Sequence, residues 1–269
     1  MACTLGFMTK QTRCVAAAVV SLAWLHVAPA DATTATCAGR TDVLGTSRVL
    51  AVGPATPPLG RKFFPQTLPL ADKEVVLTFD DGPLPATTGL VLAALANECV
   101  KATFFMVGQM AEASPDMARR VRADGHTVAY HTYKHPLLSQ MRPDAALREI
   151  EHGFEAVDRA VYGSAAGAPR TPFFRFPGFA GTPALLADLA ARHITVFGAD
   201  LWASDWNPMT PAQELALVMA RLDYSRGGIL LLHDTKRQTA AMLPALLRRL
   251  KAEGFKIVHI VPMRAVAQR

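Results

Sequence analysis

The stretch EVVLTFDDGP, Glu74 to Pro83, decides how this chain is read. Val75 to Phe79 is a short apolar run rich in β-branched and aromatic residues, and it stops at two adjacent acids and a Gly-Pro turn, the form of a buried strand running into a loop. Four later segments repeat that form in order: HTYKH (131–135), FRFPG (174–178), SDW (204–206) and LLHD (231–234). Each sets an Asp, His or Arg at or just beyond a strand-like run.

Outward from these segments, strand and helix patterns alternate. Strands are expected at 74–79, 103–107, 127–130, 173–176, 195–197, 229–232 and 256–260, with helical patterns at 87–98, 115–124, 144–161, 183–192, 211–222 and 239–253. Ser114-Pro115, Thr182-Pro183 and Thr210-Pro211 each offer a capping side chain before a proline at the first helical position, and Gly125 and Gly254 follow helix ends. Seven β and six α units in alternation imply parallel strands joined by crossover helices, in a barrel or a doubly wound sheet. Placement favours the barrel. Asp80, Asp81, His131, Arg175, Asp205 and His233 fall at the C-terminal ends of five strands, the face on which barrels collect chemistry. Upstream, residues 31–72 hold Pro54, Pro57, Pro58, Pro65 and Pro69 and read as an extended arm or linker, with a short strand allowed at 47–52.

The first thirty residues belong to neither part. Lys10 and Arg13 precede an apolar run, Cys14 to Val27, and Ala28-Pro29-Ala30 is a small-residue cleavage site, so residues 1–30 read as a secretory signal, with Ala32 as the other cleavage point. The run is short for a bilayer span, so an exported protein, periplasmic or secreted and without stable membrane insertion, is expected. Its removal takes two of the 28 basic residues and no acid, leaving 26 against 22 and lowering the formal charge from +6 to +4. The remaining cations are scattered over helices without interleaved aromatics, which argues against nucleic acid as partner. A monomer is expected. Cys37 and Cys99 survive cleavage, and in an oxidising compartment they either pair or Cys99 packs as a small apolar residue.

The residue types define a chemistry before any family is invoked. His131 and His135 are four apart after a strand, a weak signal in a chain with 8 histidines, but two imidazoles with a carboxylate leave open positions on a divalent ion, as a catalytic metal requires. Adjacent Asp80 and Asp81 at the end of an apolar strand repel one another unless a cation lies beside them. Arg175, in an otherwise aromatic strand, needs an anionic partner or must snorkel to the surface. His233 follows the most apolar strand of the chain and is either a core histidine or a proton donor.

In order and in flanks, the five segments resemble the polysaccharide deacetylases of carbohydrate esterase family 4, over about residues 73–269. The resemblance implies a single catalytic domain, an α/β distorted (β/α)7-8 barrel, that hydrolyses N-acetyl groups of an N-acetylglucosamine-containing glycan. It implies that Asp81, His131 and His135 hold one divalent metal, Zn2+ first, with Co2+, Mn2+ or Ni2+ also accepted. Asp80 would be the general base, held by Arg175, and His233 the general acid, oriented by Asp205. Pro177, Gly178 and Phe179 would form a groove wall, and Trp206 and Leu231 the pocket for the acetyl methyl, with backbone N–H groups near Gly82 or Phe179 facing the oxyanion. The family pattern places the aromatic directly after the proline, whereas here Gly178 intervenes. The alternatives on the same scaffold are an acetyl xylan esterase, a hydrolase of non-carbohydrate amides or imides, and an inactive glycan-binding module.

Overall fold

The computed structural model describes residues 2, 37, 39–53 and 56–263; the segment expected to be a signal, apart from residue 2, lies outside the described residues, as do Cys3, Cys14 and Pro54. Contacts divide the chain into Met1–Thr34 and Ala35–Arg269, and all that follows concerns the second unit. Its strands are β1 Thr46–Val52, β2 Glu74–Asp80, β3 Thr103–Met106, β4 Thr127–Tyr130, β5 Phe173–Phe174, β6 Thr195–Val196, β7 Leu201–Trp202, β8 Gly228–His233 and β9 Lys256–Pro262. The helices are α1 Pro85–Asn97, α2 Gly108–Ala113, α3 Pro115–Ala123, α4 Pro143–Tyr162, α5 Pro183–Ala191, α6 Pro211–Ser225 and α7 Arg237–Ala252.

Every strand pairing is parallel, and β2 to β6 follow one another in the sheet, with β8 returning to pair with β2 and β7 pairing with β8. This is the expected distorted barrel. Among the described residues no ladder joins β6 to β7. Leu59 bonds the free edge of β6 instead, donating its N–H to Val196 O at 2.9 Å and accepting from Gly198 N at 2.6 Å. The residues read as a linker are therefore attached to the barrel: β1 is a full strand on β9, and the segment from Leu59 onward docks at the gap in the ring.

Side-chain alternation divides the core in two. Val76, Phe105, Ala129, Phe173, Phe197 and Ile229 form one buried cluster, the barrel interior. Their sequence neighbours Leu77, Phe104, Val128, Phe174, Val196 and Leu230 belong to a second cluster shared with helix residues such as Leu92, Val157, Leu189 and Leu246. Asp80 has the parity of Val76, His131 that of Ala129, Arg175 that of Phe173 and His233 that of Ile229. The period of two thus carries all four polar side chains to the inner face at one end of the barrel.

Three local expectations differ from the structure. Only Thr182 and Thr210 cap their helices, Thr210 in a capping box, whereas Ser114 makes no side-chain cap bond. Two elements were not foreseen: β7, with two residues, and α2, with six, are too short for a periodic pattern. Strand β5 is shorter than the expected 173–176, although Arg175 N still donates to Tyr130 O at 3.0 Å. Cys37 and Cys99 are disulfide-bonded and close a separation of 62 residues. No helix among the described residues is long and apolar enough to cross a membrane.

Candidate active site

The C-terminal ends of the strands open into a cleft of about 450 Å3 lined by Asp80, Asp81, His131, His135, Leu231 and His233, and by Phe63, Phe176, Gly178, Phe179, Trp202, Trp206 and Lys236. Pro177 is buried in the turn below and does not line it. The backbone here is unusual. Asp81, Thr132, His135, Phe179 and Ser204 all adopt positive φ, a conformation that costs non-glycine residues energy and that clusters where side chains must be aimed.

Asp81 shows the consequence. Strand alternation predicts that Asp80 and Asp81 face opposite ways, but Asp81 at φ 77° has left the strand geometry and swings into the same cleft. Asp80 Oδ2 and Asp81 Oδ1 lie 3.7 and 3.6 Å from the one His131 Nε2. His135 Nε2 is 3.2 Å from Asp81 Oδ1. Gly82 is required next, because a Cβ there would lie 2.1 Å from Asp234 Oδ2.

Whether these residues suit a divalent cation can be tested on their hydrogen bonds. The ligand atoms of Asp81, His131 and His135 lie within 4.8 Å of one another. Asp81 Oδ1 is buried and has no well-aligned hydrogen bond, the His135 contact at 3.2 Å included, a costly state that a cation relieves. His131 Nδ1 lies 2.7 Å from Arg175 O, an atom that only accepts, so Nδ1 carries the proton and Nε2 presents a lone pair to the cluster. Burial opposes the charge of Asp81, but His135, His131 and His233 outweigh it and hold its carboxyl well below the usual range. The donor set fits a metal.

Arg175 is wholly buried and finds the anion its position demands. Its Nη1 donates to Asp80 Oδ1 at 2.6 Å and to Thr78 Oγ1 at 2.9 Å, Nη2 to Gly198 O at 2.8 Å and Nε to Phe197 O at 3.3 Å, over the Phe105 ring. The guanidinium so fixes one carboxylate oxygen of Asp80 and leaves Oδ2 on the side of His131. The snorkelling alternative is excluded, since Arg175 has no exposed surface.

On β8, the strand next to β2, stands a second pair. His233 Nδ1 donates to Asp205 Oδ1 at 2.7 Å, and the His233 backbone N–H donates to Asp205 Oδ2, also at 2.7 Å. Burial disfavours the imidazolium, but the Asp205 hydrogen bond and charge, with those of Asp81 and Asp80, raise His233 to about 9. Its Nε2 points toward Asp81 Oδ2, 3.8 Å away, and Trp206 stands edge-on to the ring at 6.0 Å.

Behind Asp205 lies a group the sequence did not reveal. The Thr239 hydroxyl sits 2.8 Å from Asp205 Oδ2 and 2.9 Å from Glu214 Oε1, yet has one proton to give. Glu214 is fully buried with Oε2 unpartnered, and burial, then the Asp205 charge, pushes it up to about 7. A protonated Glu214 donates to Thr239, and Thr239 donates to Asp205. In sequence Glu214 is only an acid in the first turn of α6, where the helix dipole alone would account for it.

One further expectation about the rim needs correction. The Phe179 N–H donates to Phe176 O at 2.9 Å and is not free to face an oxyanion. Gly178 and Phe179 are both left-handed, at φ 54° and 56°, and this pair of turns returns the aromatic ring to the cleft although it stands one place late. There Phe179 stacks at 3.9 Å on Phe63, a residue of the arm that nothing in the sequence marked.

Known proteins share this arrangement of sequence. The family model described as polysaccharide deacetylase matches residues 68–197. A chitooligosaccharide deacetylase of Rhizobium leguminosarum bv. trifolii is 48% identical over 86 residues, 32% of this chain and 40% of that protein. The chain therefore spans about two fifths of that relative's length. A chitooligosaccharide deacetylase of Sinorhizobium fredii is 34% identical over 202 residues, 70% of this chain and 90% of that one. Among solved structures, the Bdellovibrio bacteriovorus peptidoglycan deacetylase Bd3279 superposes with a TM-score of 0.73 at 30% identity, covering 85% of this chain and 62% of its own.

Proposed function

This chain belongs to the polysaccharide deacetylase family, and from that premise we propose that it is an exported hydrolase that removes the N-acetyl group from an N-acetylglucosamine-containing glycan, releasing acetate. One observation carries the reading. Two oriented acid-base pairs, Asp80 with Arg175 and His233 with Asp205, face one cleft beside the Asp81, His131 and His135 cluster, Asp80 and His233 being register partners on β2 and β8.

In the proposed reaction a water molecule attacks the acetyl carbonyl carbon and the C–N bond breaks. Asp80 receives the proton of the attacking water on Oδ2, the oxygen Arg175 leaves free. His233, kept protonated by Asp205, donates from Nε2 to the departing nitrogen, so the amine leaves neutral and the second product is acetate. A divalent metal, zinc by its preference for imidazole and carboxylate ligands, would be held by Asp81, His131 and His135, and its chemistry is Lewis-acid polarisation with a lowered water pKa. Leu231 and Trp206 offer the apolar surface against which the acetyl methyl packs.

The test is a substrate panel with the metal-loaded mature protein: chitooligosaccharide, peptidoglycan fragments and acetylated xylan, with acetate and free amine measured together. Equal amounts of acetate and amine from a glucosamine-type glycan are expected. Acetate from xylan alone, without amine, would replace the amidase reading with an esterase, and no acetate from any member would end it.

A further inference from the structure

The family match begins at residue 68, yet the cleft is completed by residues before it. Phe63 and Phe64 are adjacent and behave differently. Phe64 packs against the main core, whereas Phe63 is 44% exposed and lines the cleft. Phe63 does not stand alone there: with Phe179, Trp202 and Trp206 it makes a contiguous aromatic patch at the cleft, the kind of exposed apolar surface that marks an interaction site.

The segment that presents Phe63 is rigidly built. Gly60 takes φ 110° with its backbone against Ala199, where a Cβ would lie 2.5 Å from Ala199 N. The N–H groups of Phe63 and Phe64 both donate to Gly60 O, Lys62 N donates to Ala199 O, and Gly60 N to Gln66 O. Asp200 accepts from Arg61 N on one oxygen and from Thr67 Oγ1 on the other. A loop so fixed leaves little backbone to order on binding.

What it presents is an apolar wall edged with positive charge. Phe63 stacks on Phe179, and Trp202 follows at 6.0 Å and Trp206 beyond it, ending beside His233. Lys62 Nζ lies over the Trp202 ring at 5.2 Å, and Lys236 lines the cleft. Among the described residues neither lysine has a carboxylate within ion-pair distance. Aromatic faces suit the C–H faces of pyranose rings, and unpaired lysines at the same rim suit an anion.

We propose that the 59–66 loop builds a sugar subsite beside the reacting acetamide, with Phe63 as a stacking face and Lys62 and Lys236 as recognition groups for a carboxylate carried by the neighbouring sugar. The inference rests on the deacetylase reading and deepens it. The preferred substrate is a glycan in which N-acetylglucosamine alternates with a carboxylate-bearing unit, rather than a neutral homopolymer.

Three substrates test this with the metal-loaded protein: a neutral N-acetylglucosamine tetramer, a tetramer of equal length with a carboxylate on every second sugar, and a small acetyl ester too short to reach the loop. Wild type should favour the carboxylate tetramer, and added salt should shrink that preference. Phe63→Ala should raise KM on both tetramers roughly five- to tenfold, the loss of one aromatic contact, and should raise KM on the ester much less. Lys62→Gln should lower kcat/KM on the carboxylate tetramer alone, by about threefold, as for one exposed charge pair. Unchanged tetramer kinetics in Phe63→Ala, an equal rise of KM on ester and tetramers, or equal wild-type turnover of the two tetramers would each overturn the subsite. Ester hydrolysis with no acetate from either tetramer is a separate outcome, in which the glycan reading fails and takes the subsite with it.

Discussion

Replacing Asp205 by Asn separates a catalytic His233 from a merely structural one, and the size of its effect follows from the geometry. Burial disfavours the charged form of His233, and the hydrogen bond and charge of Asp205 outweigh it and hold the group at about 9. With Asn, the hydrogen bond persists in weaker form but the charge is gone, so the imidazole falls to its ordinary value of about 6.5 or lower. At pH 8 a group titrating at 9 is about 90% protonated and one titrating at 6.5 about 3%, a roughly thirtyfold loss of the acid form; at pH 6 the two differ by only about 1.3-fold. The basic limb of the pH-rate profile for acetamide cleavage should therefore move down by two units or more, with activity near pH 6 largely retained. A metal bound through Asp81 cancels that carboxylate's share, which lowers both limbs and preserves their order. The same sign governs stability: the raised folded pKa contributes most below about 6.5 and is lost as pH rises through about 9. The assay is initial-rate acetate release from pH 5 to 10 on variants whose metal content equals that of wild type. A basic limb in Asp205→Asn that coincides with wild type, at comparable turnover, would refute the proton-donor role.

Arg175→Met removes the guanidinium partner of the buried Asp80 carboxyl and strands two backbone carbonyls. Urea unfolding should show a loss of about 3–5 kcal/mol, which at roughly 2–4 °C per kcal/mol is a drop of about 6–20 °C in melting temperature; a change below about 1 kcal/mol contradicts the buried pair. His131→Ala and His135→Ala should each lower bound metal measured by elemental analysis, whereas Asp80→Asn should keep occupancy and lose turnover, and equal metal loss in all three would merge the roles of the two aspartates. Glu214 is raised in the folded state to about 7 from 4.5, so the folded chain binds more protons and wild-type stability falls as pH climbs through that window. Glu214→Gln abolishes the titration, and its melting temperature relative to wild type should rise between pH 4.5 and 7.5; a flat difference would mean that Glu214 is ionised throughout.

The barrel was legible because its signals are local. A strand such as Glu74–Asp80 needs only neighbouring residues to declare itself, and Pro-started helices such as Pro183–Ala191 and Pro211–Ser225 declare their ends through caps. The polar side chains at the strand ends were legible for the same reason, since period-two alternation fixes the face each occupies and parallel pairing fixes the end. Elements of two or six residues, such as Leu201–Trp202 and Gly108–Ala113, carry no period and could not be seen.

By itself, then, the sequence determined the alternation of strands and helices, the parallel barrel and the residue types gathered at its mouth. Tertiary structure alone decided three things: that Asp80 and Asp81 converge on His131 because the second leaves strand geometry, that Thr239 ties Glu214 to Asp205, and that the arm brings Phe63 onto Phe179. The physical reason is range. Alternation and capping act between residues a few places apart, whereas a positive φ forced by close packing, one proton shared by groups on α6 and α7, and a loop held at the open edge of β6 depend on atoms that meet only once the chain has folded.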